Sequence, residues 1–124
     1  MTLSQIVLHL ARNPDAGVVE GDSTHGYVLV APLTREGLLD DEAWREHKDA
    51  CTVRAFAPGA DARDGKLSRR GHNWFFDYER NETRDDEPVF KLERHKFEIG
   101  EYVTVTDQSD APLVYRIDSI KPVG

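Results

Sequence analysis

The chain has 124 residues, of which 39% are hydrophobic and 31% charged, and its formal net charge at pH 7 is −7. This length suits one hydrophobic core, so we expect residues 1–124 to form a single domain. The acidic balance excludes a role that depends on overall attraction to nucleic acid or to anionic membranes, because the averaged field repels both.

The leading segment and the cysteine content predict where the protein works. Residues 1–12 lack a basic leading segment, and their apolar stretch is too short and too interrupted for a signal peptide. No window approaches the ~20 consecutive apolar residues that cross a bilayer. The single cysteine, Cys51, cannot form an intramolecular disulfide. We therefore expect an acidic cytoplasmic protein without a membrane partner, present as a monomer or a homodimer.

The first quarter of the chain predicts two strands. In residues 5–12 the apolar side chains fall on two alternating faces, as they do in a strand, and residues 13–17 supply a turn. Residues 27–31 are dense in aromatic and β-branched side chains, which is typical of a strand buried on both faces. Pro32 ends this strand, because proline has no N–H to donate to a neighbour.

Residues 39–50 predict the only helix, which is short and mostly polar. Asp40 is placed to cap its first turn, and the acidic residues that follow complement the positive end of the helix dipole. Trp44 is expected to anchor the helix on the sheet, since the apolar stripe of this helix is narrow.

The rest of the chain predicts further strands joined by polar segments. Composition makes residues 57–65 a loop and residues 79–88 a charged, exposed connection. A hairpin around Gly71, or a bulged strand, joins the segments on either side of it. The strands of this part are predicted at 52–56, 66–70, 73–78, 89–94, 97–106 and 113–120. The predicted fold class is mainly β, a small antiparallel β-barrel or strongly bent sheet of about seven strands with one short α-helix.

Residues 66–78 combine basic side chains with alternating aromatic ones, the inventory of a sheet surface that holds phosphates and stacks bases. If the alternating aromatics face the core, they are ordinary packing with Phe75 left outside. If they face solvent, the sheet exposes an apolar patch. The acidic run at 79–87 opposes nucleic acid and suits a protein partner of mixed charge. The alternating aromatics are Trp74, Phe76 and Tyr78.

The chain carries no motif for nucleophilic catalysis, phosphate binding or a dinucleotide. We therefore predict a non-catalytic binding or interaction module that acts on a protein partner and needs no cofactor. Single-stranded nucleic-acid binding through the basic and aromatic strand is the first alternative. The predicted contact residues are Arg69, Arg70, His72 and Arg94.

A small-molecule or metal-dependent site is the second alternative. His47 and Cys51 are four residues apart, a spacing that places both side chains on one side of a helix. Two ligands do not make a metal site, so no metal is expected, and Cys51 is also explained as a small buried residue. The residues grouped by this alternative are His25, Tyr27, His47 and Cys51.

The end of the chain resembles the strand entry and hairpin of small SH3-like β-barrels. The pattern begins at Phe97, places Gly100 before an alternating strand, and returns through residues 115–122. A glycine at that position permits a sharp entry into the strand. The resemblance implies a small barrel.

More of the chain resembles a group of small uncharacterised bacterial proteins. This resemblance implies a bacterial, single-domain protein and carries no activity with it. The segments that carry it are His25-Gly-Tyr27, Ala31-Pro-Leu33, Ala43-Trp-Arg-Glu-His47 with Cys51, and Gly100-Glu-Tyr-Val103.

Overall fold

Eight antiparallel strands follow one another around a closed barrel, and the last strand pairs with the first. The computed structural model describes residues 3–71, 73–78, 87–89, 96–106 and 112–123. The strands are β1 (Leu3–Leu10), β2 (Asp22–Pro32), β3 (Thr52–Ala57), β4 (Ala60–Arg70), β5 (Asn73–Tyr78), β6 (Glu87–Val89), β7 (Tyr102–Thr106) and β8 (Pro112–Val123). The prediction of a mainly β fold, a small antiparallel barrel with one short helix, is confirmed.

The interior of the barrel is filled by side chains from the inner faces of the strands. The alternating aromatics of β5 belong to this core, since Trp74 is only 2% exposed and Phe76 and Tyr78 are also buried. Phe75 is not part of the main core, yet it is only 6% exposed, and the Arg70 guanidinium lies 4.3 Å from its ring centre. The largest fully buried side chains are Tyr115, Phe76, Ile6, Leu8, Leu29, Leu67 and Ile117.

The helix α1 (Asp41–Glu46) follows β2 and precedes β3 in the chain, and it packs over the end of the barrel where these two strands are connected. The Asp40 side chain accepts a hydrogen bond from the Ala43 N–H at 3.1 Å, so it caps the helix as predicted. The Trp44 indole N–H donates to the Leu67 carbonyl at 2.9 Å, and its ring centre lies 4.8 Å from that of Trp74. Trp44 therefore anchors the helix, as its position in the sequence predicts.

Several elements differ from their predicted extent. The strand predicted at 97–106 begins only at Tyr102, because Gly100, with a φ of 96°, lies in a turn that precedes β7. The predicted loop at 57–65 is mostly strand, because β4 begins at Ala60 and pairs with β3 from there. The composition of this segment resembles that of a loop because its residues are mostly polar. Gly65 is required there because a Cβ would lie 2.3 Å from the Asp77 carbonyl oxygen of β5. The predicted helix at 39–50 is interrupted, since α1 is followed by a separate 3-10 turn, Lys48–Ala50.

Some predicted elements lie outside the described residues. These are the connection at 79–86, most of the strand at 89–94 and the turn at 107–111. In the part of the chain that the structure describes, no helix is long and apolar enough to span a membrane.

Candidate functional site

His9 lies on the outer face of the barrel, with irregular strand pairing directly after it on the β2 side and shortly before it on the β8 side. Its neighbours along β1, Leu8 and Leu10, are buried in the core, so His9 points the other way. On the β2 side, the register jumps between His9 and Leu10, and residues 23–25 bulge out. On the β8 side, it jumps between Val7 and Leu8, and Asp118 is the extra residue. Bulges re-aim side chains and are common beside functional sites.

The β8 bulge directs the Asp118 carboxylate to two partners. One carboxylate oxygen lies 2.6 Å from Nδ1 of His9, and the other accepts a hydrogen bond from Nε of Arg116 at 2.7 Å. Partial burial raises the pKa of Asp118, but the bonds from Arg116 and His9 outweigh it and hold that pKa below its ordinary value. Asp118 is therefore ionised at neutral pH and fixes the orientation of both neighbours.

A row of cross-strand partners extends this site across five strands. Tyr102 of β7 pairs with Arg116 of β8, which pairs with His9 of β1. His9 in turn pairs with Gly26 of β2, and Gly26 pairs with Phe56 of β3. The His9 and Phe56 rings meet edge to face across the glycine, with their centres 6.0 Å apart. The row places an imidazole, a guanidinium and a phenol side by side on one outer surface.

A groove of about 670 Å³ opens beside this row. One wall comes from β1, β7 and β8, and the other is the segment that leads into β2. Both charge signs are represented, with two arginines and a histidine against three carboxylates. Its lining residues are His9, Leu10, Ala11, Arg12, Glu20, Gly21, Asp22, Ser23, Tyr102, Arg116 and Asp118. A volume of this size accommodates a small molecule or a short peptide segment.

Among the predicted contact residues, Arg69 packs against α1 and forms an ion pair with it. Its guanidinium bonds the Asp41 carboxylate at 2.5 Å and lies 5.3 Å from the ring centres of Trp44 and Trp74. Arg70 is exposed and stacks on the ring of Phe75. His72 and Arg94 lie outside the described residues, so the structure does not show whether the four converge.

The burial of Trp74 bears on the nucleic-acid alternative, which uses that residue as a stacking platform. Its ring packs inside the barrel against Trp44 and is covered by the Arg69 guanidinium. It therefore presents no face to a base in this structure. Binding of single-stranded nucleic acid combines base stacking with positive charge on one surface. Trp74 does not supply the stacking surface beside the basic residues of β4.

The residues grouped as a ligand site fall at two ends of β3. His25 and Tyr27 lie near Phe56, and Nε2 of His25 is 3.4 Å from the Tyr115 hydroxyl. Cys51 precedes the first residue of β3, about 15 Å away at the usual rise per strand residue. Cys51 contacts the backbone carbonyl of His47 with its Sγ at 3.4 Å. Among the described residues, no three of His, Cys, Asp and Glu are grouped to hold a metal ion.

Cys51 should be unreactive in the folded protein. It is fully buried, and burial raises the pKa of its thiol to about 11 from 9.0. The contribution of this raised pKa to the free energy of unfolding is fully present below pH 9 and is lost as the pH rises toward 11. At pH 8, a thiol reagent should modify folded protein about 100-fold more slowly than urea-unfolded protein. Cys51→Ala is the blank, and fast modification of the folded state would contradict the buried assignment.

Sequence reasoning missed His9, Arg116 and Asp118 because they come together only when β8 closes the barrel against β1. More than a hundred residues separate His9 from Arg116. One signal was available. Each lies within the predicted N-terminal or C-terminal strand, on the side opposite the large apolar residues.

The fold and the groove together define an eight-stranded antiparallel barrel with a filled interior and a polar site on its outer wall. No family model matches this chain, and no curated protein or solved structure is significantly similar to it.

Proposed function

We propose that this chain is a non-catalytic binding module that holds an extended segment of a partner protein in the groove beside His9. The observation that carries this proposal is the pair of bulges that flank His9 in β2 and β8. Irregular pairing on both sides of one residue weakens the ladder there. Such irregularity is typical of a place where a sheet aims side chains at a ligand.

The groove favours a protein segment over a compact small molecule. It lies on the outer wall and is open to solvent, and charges of both signs line it. Tyr102 is 55% exposed at its edge, and Val19, another exposed apolar residue, precedes the lining residue Glu20. Tyrosine and arginine are the residue types that contribute most to protein–protein binding energy. A segment of mixed charge with an apolar side chain fits these features.

The bonding of His9 supports binding over nucleophilic catalysis. In nucleophilic catalysis, a histidine that acts as the base lies in hydrogen-bond reach of a hydroxyl or thiol nucleophile. The partner of His9 is the Asp118 carboxylate, and within the described residues no hydroxyl or thiol is hydrogen-bonded to its ring. Glu20, Asp22 and Asp118 also line the groove, which disfavours a phosphate backbone as its occupant.

Charge reversal at Arg116 should abolish partner capture, and the same change at Arg54 should not. Both arginines lie on the outer face and bond a carboxylate through Nε at 2.7 Å, and their side chains are 54% and 61% exposed. Only Arg116 lines the groove. Arg116→Glu should lower the amount of specifically retained partner about tenfold or more, and Arg54→Glu should leave it within about twofold. Affinity capture with quantitative mass spectrometry provides the measurement.

Tyr102→Ala is the second groove variant, since it removes an exposed side chain and leaves the ion pairs in place. It should also reduce capture, and thermal unfolding should match the unaltered protein to within about 0.5 kcal/mol. Equal retention of every partner by both groove variants and by Arg54→Glu would overturn the proposal. Capture that depends on Arg54 and not on Arg116 would overturn it as well.

A further inference from the structure

Two arginine–aspartate pairs on the outer wall of the barrel differ in one respect. Arg54 uses both Nε and Nη2 on the two oxygens of Asp64, at 2.7 and 3.1 Å. Arg116 uses Nε alone, and the second oxygen of Asp118 faces Nδ1 of His9 instead. Within the described residues, the terminal nitrogens of Arg116 make no hydrogen bond. The Asp64 carboxylate therefore engages Arg54 through one terminal nitrogen as well as Nε, whereas among the described residues Asp118 engages Arg116 through Nε alone.

We infer that the terminal nitrogens of Arg116 form a carboxylate-binding subsite of the groove, which takes an acidic side chain of the partner segment. The inference rests on the proposed function and names the chemistry that the groove recognises. A guanidinium binds a carboxylate through two parallel hydrogen bonds when its donors are fixed in orientation. The bond from Nε to Asp118 fixes this orientation before the ligand arrives.

The surroundings of Arg116 favour a side-chain carboxylate over the other anions that arginine binds. A phosphate group carries more charge and is usually held by several arginines, whereas three carboxylates line this groove. A chain-terminal carboxylate is usually held by a nest of backbone N–H groups, and Arg116 offers a side chain on a strand. Tyr102, the cross-strand partner of Arg116, adds a phenol beside the subsite.

His9 acts as a positioning residue in this arrangement. By holding one oxygen of Asp118, it keeps that carboxylate from closing onto Arg116 as Asp64 closes onto Arg54. Without His9, the released oxygen should turn to Arg116 and occupy the site that the ligand carboxylate needs. His9→Asn should preserve the subsite, because its side-chain amide can donate from a position near that of Nδ1.

Titration of the full chain with sodium acetate, followed by 1H–15N NMR at constant ionic strength, tests the subsite. Acetate should cause saturable shifts at Arg116 and Tyr102 and none at Arg54. Sodium phosphate should bind no more tightly than acetate. The apparent Kd for acetate should rise about fivefold or more in His9→Ala. It should rise as much in Arg116→Lys, which keeps the positive charge and loses the two parallel N–H donors of the guanidinium. His9→Asn should stay near the unaltered value.

Each failure points to a different claim. No saturable acetate shift at Arg116, or equal shifts at Arg54, would overturn the subsite. Tighter binding of phosphate would overturn the choice of a carboxylate, and unchanged acetate affinity in His9→Ala would overturn the role of His9. If Arg116→Glu abolishes partner capture while acetate does not bind, the subsite fails and the groove proposal stands. If acetate binds while partner capture ignores every groove variant, the proposed function fails instead.

Discussion

Replacing Gly26 with alanine should destabilise the barrel by about 3 kcal/mol or more, enough to unfold a domain of ordinary stability under mild denaturation. A Cβ at this position would lie 1.8 Å from the carbonyl oxygen of Leu8. That oxygen belongs to the backbone of β1, so no rotation of a side chain relieves the clash. The strands have to separate beside His9, where the bulge in β2 already interrupts the pairing.

Urea unfolding of Gly26→Ala measures this effect, and Gly59→Ala provides the control. Gly59 has a φ of 71°, and an added Cβ there meets nothing within 4 Å. Its replacement should cost about 1–2 kcal/mol, from backbone conformation alone. If Gly26→Ala costs no more than Gly59→Ala, the two strands do not approach as closely as the structure shows.

Replacing Trp44 with alanine should cost about 3–5 kcal/mol, because it removes the side chain that joins α1 to the barrel. The loss includes the contact with the Trp74 ring and the hydrogen bond to the Leu67 carbonyl. Arg69 also loses one of the two rings beside its guanidinium. Trp44→Phe keeps a ring in place and should cost about 1–3 kcal/mol, mainly through the unpaired carbonyl.

Arg45→Ala is the matched control on the same helix. Arg45 is exposed and pairs with Asp41 four residues before it, at 3.1 Å. Its loss should cost about 0.5 kcal/mol, as exposed helical ion pairs usually do. Urea midpoints for the three variants should rank Arg45→Ala above Trp44→Phe and Trp44→Phe above Trp44→Ala. Equal midpoints for Trp44→Ala and Arg45→Ala would show that the helix does not close the end of the barrel.

Much of the fold was predictable, because alternation of apolar residues reports directly on a barrel with a filled interior. That pattern predicts the first strand, placed at 5–12 and found at Leu3–Leu10, the strand that ends at Pro32 and the anchor at Trp44. The first half of β4 was predicted as a loop because it is polar and rich in small and charged residues. Such a segment becomes a strand only when β3 lies beside it, and local composition does not contain that information.

The site was less predictable for a different reason. Arg69 stands out in the sequence as part of a basic cluster, and the structure pairs its half-buried charge with Asp41 beside two tryptophans. Arg116 has no basic neighbours directly beside it in the sequence, and barrel closure pairs it with His9. Charge density along a chain does not report which arginines and carboxylates strand pairing brings together, so the grouping of His9, Arg116 and Asp118 was not predictable from local composition.

The measurement that tests the groove most directly is the amount of partner retained by Arg116→Glu divided by that retained by Arg54→Glu. The two variants make the same charge change in matched outer-wall ion pairs, so effects of net charge and of a lost ion pair cancel. If the groove binds the partner, this ratio is about one tenth or lower. A ratio of one would contradict the account and would place the contact surface of the protein elsewhere on the barrel.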